Sequence, residues 1–410
     1  MIETAKMGVI GLGNRGQFLL EEFLTVEGVQ ITAVCDCYED RMQWGVDKVK
    51  ENGCPAPAGY TDYREMLAKE QLDGVIVPSS WTSHFEIAIA AMNAGVRVCI
   101  EVGGATSLEE CFELIRVSER TGIPCMMLEN CCYGREEMAV LNMIKKGVFG
   151  ELIHCECAYC HDLRDEVCLG WDNRHYRLDN YLARNGDNYP THGIGPAAKY
   201  LGINRGNRFL SLVSVGTKSR GMEKWVKDNL PTDHPLQGRH FNQSDIVTTV
   251  IKCANGETVT VTLDTCLPRP YSRGGKVQGT GGIWSEDLRK VNIAGRTPLH
   301  YWEDFDPILE EYDHPLWKEY AAHGVHAAGH GGMDYLVLSA FTESVRKGID
   351  PPIDVYDTAT WMAITVLSEQ SVALGGMPMP FPDFTHGMWI HRKPDPESKY
   401  ALDRVCEDLF

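Results

Sequence analysis

Three observations predict an α/β chain in which an N-terminal doubly wound parallel sheet is followed by an α+β domain with a mainly antiparallel sheet. Short apolar runs of strand length alternate with helical patterns through the first third of the chain. A Gly-x-Gly-x-x-Gly sequence joins the first run to the first helix. From about residue 150 the pattern turns strand-rich. The length of 410 residues exceeds one ordinary core, so two domains are expected, at 1–132 and 133–410, with the C-terminal helix packing back on the first.

The elements follow in order. Met7-Gly8-Val9-Ile10 reads as a buried strand, Gly11-Leu12-Gly13-Asn14-Arg15-Gly16 as a tight turn, and Phe18, Leu19, Glu22 and Phe23 as one helix face. A second strand, Ile31 to Cys35, ends in Asp36, twenty residues after Gly16. That context makes the turn a dinucleotide site. Gly11 permits the turn, Gly13 lets the backbone approach a pyrophosphate, and Gly16 lets the helix close on the strand. Asp36 is placed for the ribose hydroxyls and repels a 2′-phosphate, which favours NAD over NADP. The competing reading is a glycine turn in an unrelated α/β fold.

The alternation continues through strand Gly74 to Pro78, helix His84 to Asn93, strand Val96 to Glu101, helix Leu108 to Arg120 and strand Pro124 to Leu128. Ligands in such sheets sit beyond the carboxyl ends of the strands, where Ser79 to His84, Glu101-Val102 and Glu129-Asn130 fall. The second part offers strands at Leu152 to Tyr159, Phe209 to Gly216, Ile246 to Ala254, Thr258 to Cys266 and Lys276 to Thr280, with Asn255-Gly256 as a type I′ hairpin signal. Helices near Met333 to Arg346 and Asp357 to Ala373 close the chain.

Composition narrows the function. Hydrophobic residues make up 43% and charged residues 23%, with no apolar run long enough for a membrane span. A formal net charge of -18 and the lack of a basic tract argue against a nucleic-acid partner. The N-terminus lacks the pattern of a secretion signal, so a cytoplasmic location is expected. Fifteen scattered cysteines suit reduced thiols. The densest group, His154, Cys155, Cys157, Cys160 and His161, lies in a strand, where alternation puts Cys155, Cys157 and His161 on one face; packing is the preferred reading there, and no metal is expected. The spacing of His323, His326 and His330 is helix-like, but the surrounding glycines argue against a metal-binding helix.

Six motifs carry a narrower likeness: Trp81-Thr82-Ser83-His84, Glu101-Val102, Leu128-Glu129-Asn130, Tyr189-Pro190-Thr191-His192-Gly193, Pro268-Arg269-Pro270-Tyr271-Ser272-Arg273 and Gly329-His330-Gly331-Gly332-Met333-Asp334. With the glycine turn they resemble the Gfo/Idh/MocA oxidoreductases, whose Rossmann domain precedes a domain with an open sheet, and within them glycoside hydrolase family 109, a group of NAD-dependent α-N-acetylgalactosaminidases. Sugar and inositol dehydrogenases of this fold usually carry Glu-Lys-Pro where this chain has Glu101-Val102-Gly103, and an Asp where it has Asn188. Both departures weaken a plain dehydrogenase reading. Two more set the chain apart from the hydrolase group: Thr82-Ser83 after the Trp, and Gly103 in place of a common Pro.

The resemblance implies that Asn14, Arg15, Asp36, Trp81, Thr82, Ser83, His84, Glu101, Val102 and Asn130 contact NAD. It implies that Tyr159, Arg177, Tyr189, Pro190, Thr191, His192 and Tyr271 line the pocket of a small-molecule glycoside, and that the chain forms a homo-oligomer. The implied reaction is redox-neutral removal of a terminal α-linked N-acetylgalactosamine or related sugar. Its steps are oxidation at C3, C1–C2 elimination, hydration and re-reduction by the retained cofactor. Such chemistry needs groups that move protons rather than paired carboxylates. His192, whose unperturbed imidazole titrates near ~6.5, is the first choice for the C3 proton. Tyr271 is the candidate at C2, provided its ordinary pKa of about 10 is lowered. Tyr189 steadies the cofactor or the sugar, and the three roles are interchangeable at this point. Blander readings stay open: His192 as a helix cap or core residue, Tyr271 as a loop anchor, Trp81 as core packing, and Gly329 to Asp334 as a helix start rather than a sugar contact. The alternative functions are an NAD-dependent sugar or polyol dehydrogenase and a catalytically silent NAD-binding regulator.

Overall fold

The computed structural model describes residues 2–322 and 330–410. His323, His326 and Gly329 lie outside the described residues. The N-terminal part runs β1 (Ala5–Ile10), α1 (Asn14–Phe23), β2 (Val29–Cys35), α2 (Glu39–Glu51), β3 (Ala58–Tyr60), α3 (Tyr63–Lys69) and β4 (Gly74–Val77). It continues with α4 (His84–Asn93), β5 (Arg97–Ile100), α5 (Leu108–Thr121) and β6 (Cys125–Met127). These strands form a six-stranded sheet in the order β3-β2-β1-β4-β5-β6, every neighbouring pair parallel. The order reverses between β1 and β4, which opens a crevice beyond their carboxyl ends. Helices cover the sheet, so its strands are apolar throughout; β4, Gly74-Val75-Ile76-Val77, is buried at every residue. The helix α5 is fixed at its start by a capping box between Ser107 and Glu110 and stopped by Gly122 in a left-handed conformation.

The remainder runs α6 (Arg135–Lys145), β7 (Leu152–Cys160), α7 (Arg164–Cys168), α8 (Arg177–Ala183), α9 (Thr191–Tyr200), β8 (Phe209–Gly216), α10 (Gly221–Asn229), β9 (Ile246–Cys253) and β10 (Thr258–Asp264). Then come β11 (Lys276–Gly279), β12 (Gly282–Ser285), β13 (Lys290–Ile293), β14 (Glu303–Asp304), α11 (Phe305–Tyr312), α12 (Pro315–Ala322), α13 (Met333–Lys347), α14 (Val355–Ala373) and β15 (Met379–Pro380). The second sheet has nine strands in the order β14-β13-β12-β11-β7-β10-β9-β8-β15. Only β7 and β10 pair in parallel; the other pairs are antiparallel. Along β9 Val247, Thr249, Ile251 and Cys253 are buried while alternate residues face out, the mark of a sheet covered on one side. The chain reverses between β9 and β10 at Asn255-Gly256, but not by a type I′ turn. Gly256 N donates to Cys253 O at 3.2 Å, and Gly256 alone takes a positive φ, of 112°. That is a longer hairpin connection, in which only the glycine needs the left-handed region.

Two features position the site. Helix α9 carries His192 in its first turn and lies against β7, where a Cβ on Gly193 would fall 2.9 Å from the backbone of Ala158. Glycine is what permits that approach. The other end of α9 is fixed by Lys199, whose buried ammonium donates to Pro352 O at 2.5 Å and to Asp357 of α14 at 2.8 Å. Arg205 meets the same carboxylate at 2.9 Å and also pairs with Asp354. Buried charges so matched cost little, whereas removing one partner strands the rest. No helix among the described residues is long and apolar enough to cross a membrane.

Candidate active site

A cavity of about 870 Å³ follows the crevice and continues to the start of α9. At its first end Gly11 adopts φ of 105°, and a Cβ there would fall 2.8 Å from the Ser79 backbone. A Cβ on Gly16 would meet Gly11 O at 2.1 Å, so both glycines are demanded by the fold itself. Gly13 differs, because its nearest neighbour would be Arg41 Nη1 at 3.5 Å. Gly13 caps α1 without a side-chain hydrogen bond, and no acidic residue stands in the first turn. Bare backbone at a helix N-terminus beside open space suits a pyrophosphate. Asp36 ends β2; its Oδ2 accepts from Leu12 N at 2.6 Å and its Oδ1 from Tyr38 N at 2.9 Å. Each oxygen keeps a further lone pair for a hydroxyl.

In the middle of the cavity Arg15 is committed to protein partners. Its Nε donates to Glu101 at 3.2 Å, and its two Nη atoms donate to Asp334 at 2.7 and 2.8 Å. Asn130 Nδ2 donates to the same Asp334 at 2.8 Å, and His330 Nδ1 lies 2.8 Å from it. Burial opposes a charged Asp334, but the Arg15 and His330 contacts outweigh it and hold the carboxyl far below its ordinary range. Of the two readings left open for this segment, the structure brings Asp334 to Arg15 and Asn130 at the start of α13. Glu101 Oε2 is buried without a partner, an acceptor suited to an amide N–H such as the carboxamide of a nicotinamide. With Gly13 and Asp36, it makes the residues present a fit for NAD.

The Trp81 to His84 turn divides in two. Ser83 lines the cavity with Ser79 and Ser80, in the strand-end segment where the sheet pattern places a ligand. Trp81, Thr82 and His84 are not among its lining residues. Trp81 is buried, stacked on Tyr189 at 5.5 Å and set edge-on to Tyr176 at 5.1 Å. A Cβ on Gly103 would meet the Trp81 ring at 2.4 Å, so the close approach of this backbone to the ring calls for glycine. His84 turns inward to Ser79 O at 3.0 Å, and burial pushes its imidazole down to about 4. Val102 lines the cavity beside Glu101.

The far end is aromatic. Tyr159 lies 4.5 Å from Tyr189 and 5.4 Å from His192 between ring centroids, and Arg177 sits over the Tyr189 ring at 5.0 Å. The Tyr189 hydroxyl is 3.2 Å from His192 Nε2. Pro190 and Thr191 are buried at the start of α9 and do not line the cavity. Asn188 donates to Gln243. Tyr271, half exposed, sits at the rim 5.2 Å from His161 and lines a neighbouring cavity of about 470 Å³. The sequence reading needed its phenol lowered. Burial, with the Cys131 sulfur beside it, raises it instead. His161 lines the main cavity and reaches the Tyr159 hydroxyl at 3.2 Å; burial lowers its imidazole.

Two residues beneath His192 were given no role by the sequence, although Glu129 was placed at a strand end suited to a ligand. Glu129, at the end of β6, is wholly buried; its Oε1 lies 2.7 Å from His192 Nδ1 and accepts from Cys131 N at 3.1 Å. Cys131 Sγ lies 3.3 Å from the same Nδ1. Burial works against a charged imidazole, but Cys131 and Glu129 outweigh it and hold His192 well above its ordinary value. The available signal was Glu129 itself, a carboxylate at a strand's carboxyl end inside a quoted motif. Among the described residues, Glu129, Cys131 and His192 form the group whose donor atoms all lie within 4.8 Å, a spacing that a metal ion could use. Arg273 Nη1, 3.4 Å from Cys131 Sγ, puts a positive charge against it and suits a hydrogen-bonded network better. The cysteines of β7 do not gather: Cys155 and Cys157 are buried, His154 bonds Thr258 at 2.8 Å, and all fifteen cysteines are free thiols.

Comparison with known proteins matches residues 5–128 to the oxidoreductase family with an NAD-binding Rossmann fold. Residues 133–391 match the C-terminal domain of glycosyl hydrolase 109. The chain belongs to glycosyl hydrolase family 109. It is a glycoside hydrolase on an NAD-binding fold, and nearly its whole length takes part in the likeness. It is 44% identical to an α-N-acetylgalactosaminidase of Tannerella forsythia over 95% of this chain and 88% of that one. To an α-N-acetylgalactosaminidase of Shewanella oneidensis it is 38% identical over 96% and 88%. Among solved structures, an NAD-binding oxidoreductase from Klebsiella pneumoniae matches with a TM-score of 0.71 at 16% identity, covering 93% of this chain and all of that one. The scyllo-inositol dehydrogenase of Lactobacillus casei with bound NAD(H) and scyllo-inositol matches at 0.64 and 12% identity, covering 92% and 99%. At such identities the two structures share the fold with this glycosyl hydrolase 109 chain.

Proposed function

We propose that the protein removes a terminal α-linked N-acetylgalactosamine or a closely related sugar without net oxidation. One observation carries this reading: the Glu129–His192–Tyr189 chain opens onto the same cavity whose other end is the glycine turn. The names of the 44% and 38% identical relatives support the sugar. NAD, which the Gly11 to Gly16 turn, Asp36 and Glu101 would hold, would supply a reversible hydride acceptor for C3; a ketone at C3 makes the C2 hydrogen acidic, so the C1 substituent can leave and water can take its place.

The protein's own groups manage the protons. His192 Nε2 accepts the C3 hydroxyl proton, and Glu129 stabilises the imidazolium that results. Because His192 is held above its ordinary value, the productive neutral ring gains as pH rises. Tyr189 shares Nε2 and keeps the ring aimed at the cavity. The phenol of Tyr271 is held protonated and acts as a donor at the rim, so neutral His161 is the acceptor of that pair for the C2 proton. Arg177 and Tyr159 frame the sugar. Fifteen free thiols suit a reducing, cytoplasmic setting.

The test uses an aryl α-N-acetylgalactosaminide and the purified holoenzyme. The reading expects steady release of the aryl group with no growth in the near-ultraviolet absorbance of reduced nicotinamide. Growth of that absorbance in step with turnover would instead establish a sugar dehydrogenase.

A further inference from the structure

The loop between α7 and α8 reaches the dinucleotide end of the cleft. Gly170, Trp171, Asn173, Arg174 and His175 line the same cavity as Asp36 and Tyr38. Its hold on the N-terminal part is specific. The Arg174 guanidinium lies over the Tyr38 ring at 4.4 Å and donates to both carboxylate oxygens of Asp40, at 3.0 and 2.7 Å. Arg41 answers from α2, donating to Asn173 O at 3.0 Å while lying over the same ring at 5.0 Å. Arg174 takes φ of 53°, a left-handed conformation that a long side chain keeps only where its contacts enforce it. The base of the loop is fastened by His175 N to Gly170 O at 2.7 Å and Asn173 N to Leu169 O at 3.0 Å.

We propose that this loop is a retention clasp for the dinucleotide, closed by Tyr38, Asp40 and Arg174. Cofactor in either oxidation state leaves only after these contacts part. The inference rests on the redox-neutral reading, in which reduced cofactor lost between the two halves of the cycle would strand an oxidised sugar. Opening breaks a bidentate ion pair and a cation–π contact, both partly exposed, so the clasp slows release by about tenfold and weakens with salt.

The test loads the holoenzyme with NADH, mixes it with excess NAD and follows the loss of bound-NADH fluorescence. Wild type, R174Q, D40N and the charge-swapped D40R/R174D pair are compared. Release about tenfold faster in each single variant, partly slowed again in the swapped pair, is the expected result. Equal release rates throughout, or a swapped pair as fast as the single variants, overturn the clasp. Aryl glycoside turnover on the same samples separates the two proposals. Faster release in the variants of an enzyme that accumulates reduced nicotinamide supports the clasp and refutes the hydrolase reading. Equal release with redox-neutral turnover does the reverse.

Discussion

Glu129→Gln isolates the charge beneath His192. The two side chains have the same shape. Glu129 Oε1 serves both His192 Nδ1 and Cys131 N, so the glutamine oxygen occupies that position and its amide group falls where Oε2 now lies buried without a partner. Hydrogen-bond geometry is kept and the negative charge is lost. A charge-assisted hydrogen bond in a buried site contributes about 1.5–3 kcal/mol, or roughly one to two pH units at 1.36 kcal/mol each. The sign follows from His192 lying above its ordinary value: with Glu129 neutral, the imidazolium loses a stabilising partner and its pKa falls. The acid limb of kcat/KM for an aryl glycoside therefore moves down by about one to two pH units, while the plateau drops roughly three- to tenfold because the base is weaker. Steady-state rates across pH, with NADH binding measured alongside, check this. An acid limb that stays in place or moves up would refute the proposed coupling.

Three further outcomes follow from particular residues. Gly13→Ala leaves thermal stability within about 0.5 kcal/mol, since the nearest protein atom would be 3.5 Å from the new methyl, and weakens NADH binding at least ~10-fold in a fluorescence titration. Gly16→Ala, meeting Gly11 O at 2.1 Å, lowers the unfolding midpoint by the equivalent of about 1–3 kcal/mol. Asp187→Asn changes the pH dependence of stability. Burial raises Asp187 from 3.8 to about 7, so the folded state holds a proton that the unfolded chain gives up, and wild-type stability falls as pH rises through that window. The variant escapes this loss. Its advantage in urea unfolding grows between about pH 5 and pH 8 by on the order of 3 kcal/mol, and an advantage independent of pH would contradict the assignment.

Much of the frame was legible because local rules decide it. Gly11 needs its left-handed φ and Gly16 its approach to Gly11 O, both demands set within the turn itself. Helix His84–Asn93 and strand Phe209–Gly216 have the bounds that their patterns predict. Strand β3 has only three residues, too few to show a period, and its neighbours α2 and α3 went unread with it. The site was legible as a set of motifs but not as geometry. Glu129 and His192 stand 63 residues apart in the chain and meet only because α9 packs against the Asn130–Tyr133 turn that follows Glu129. A motif also does not say which way each side chain turns: Ser83 faces the cavity, whereas Trp81 and His84 complete the core beneath it. The phenol of Tyr271 depends on burial and on Cys131, which no local pattern reveals.

If a C3 ketone is used to break the bond at C1, C2 exchanges its proton with solvent. Turnover of an aryl α-N-acetylgalactosaminide in deuterated water, with the released sugar examined by NMR, measures this directly. Deuterium at C2 in nearly every product molecule, with none elsewhere on carbon, is the expected result. Product that keeps its original C2 hydrogen would contradict the elimination and with it the role given to the cofactor.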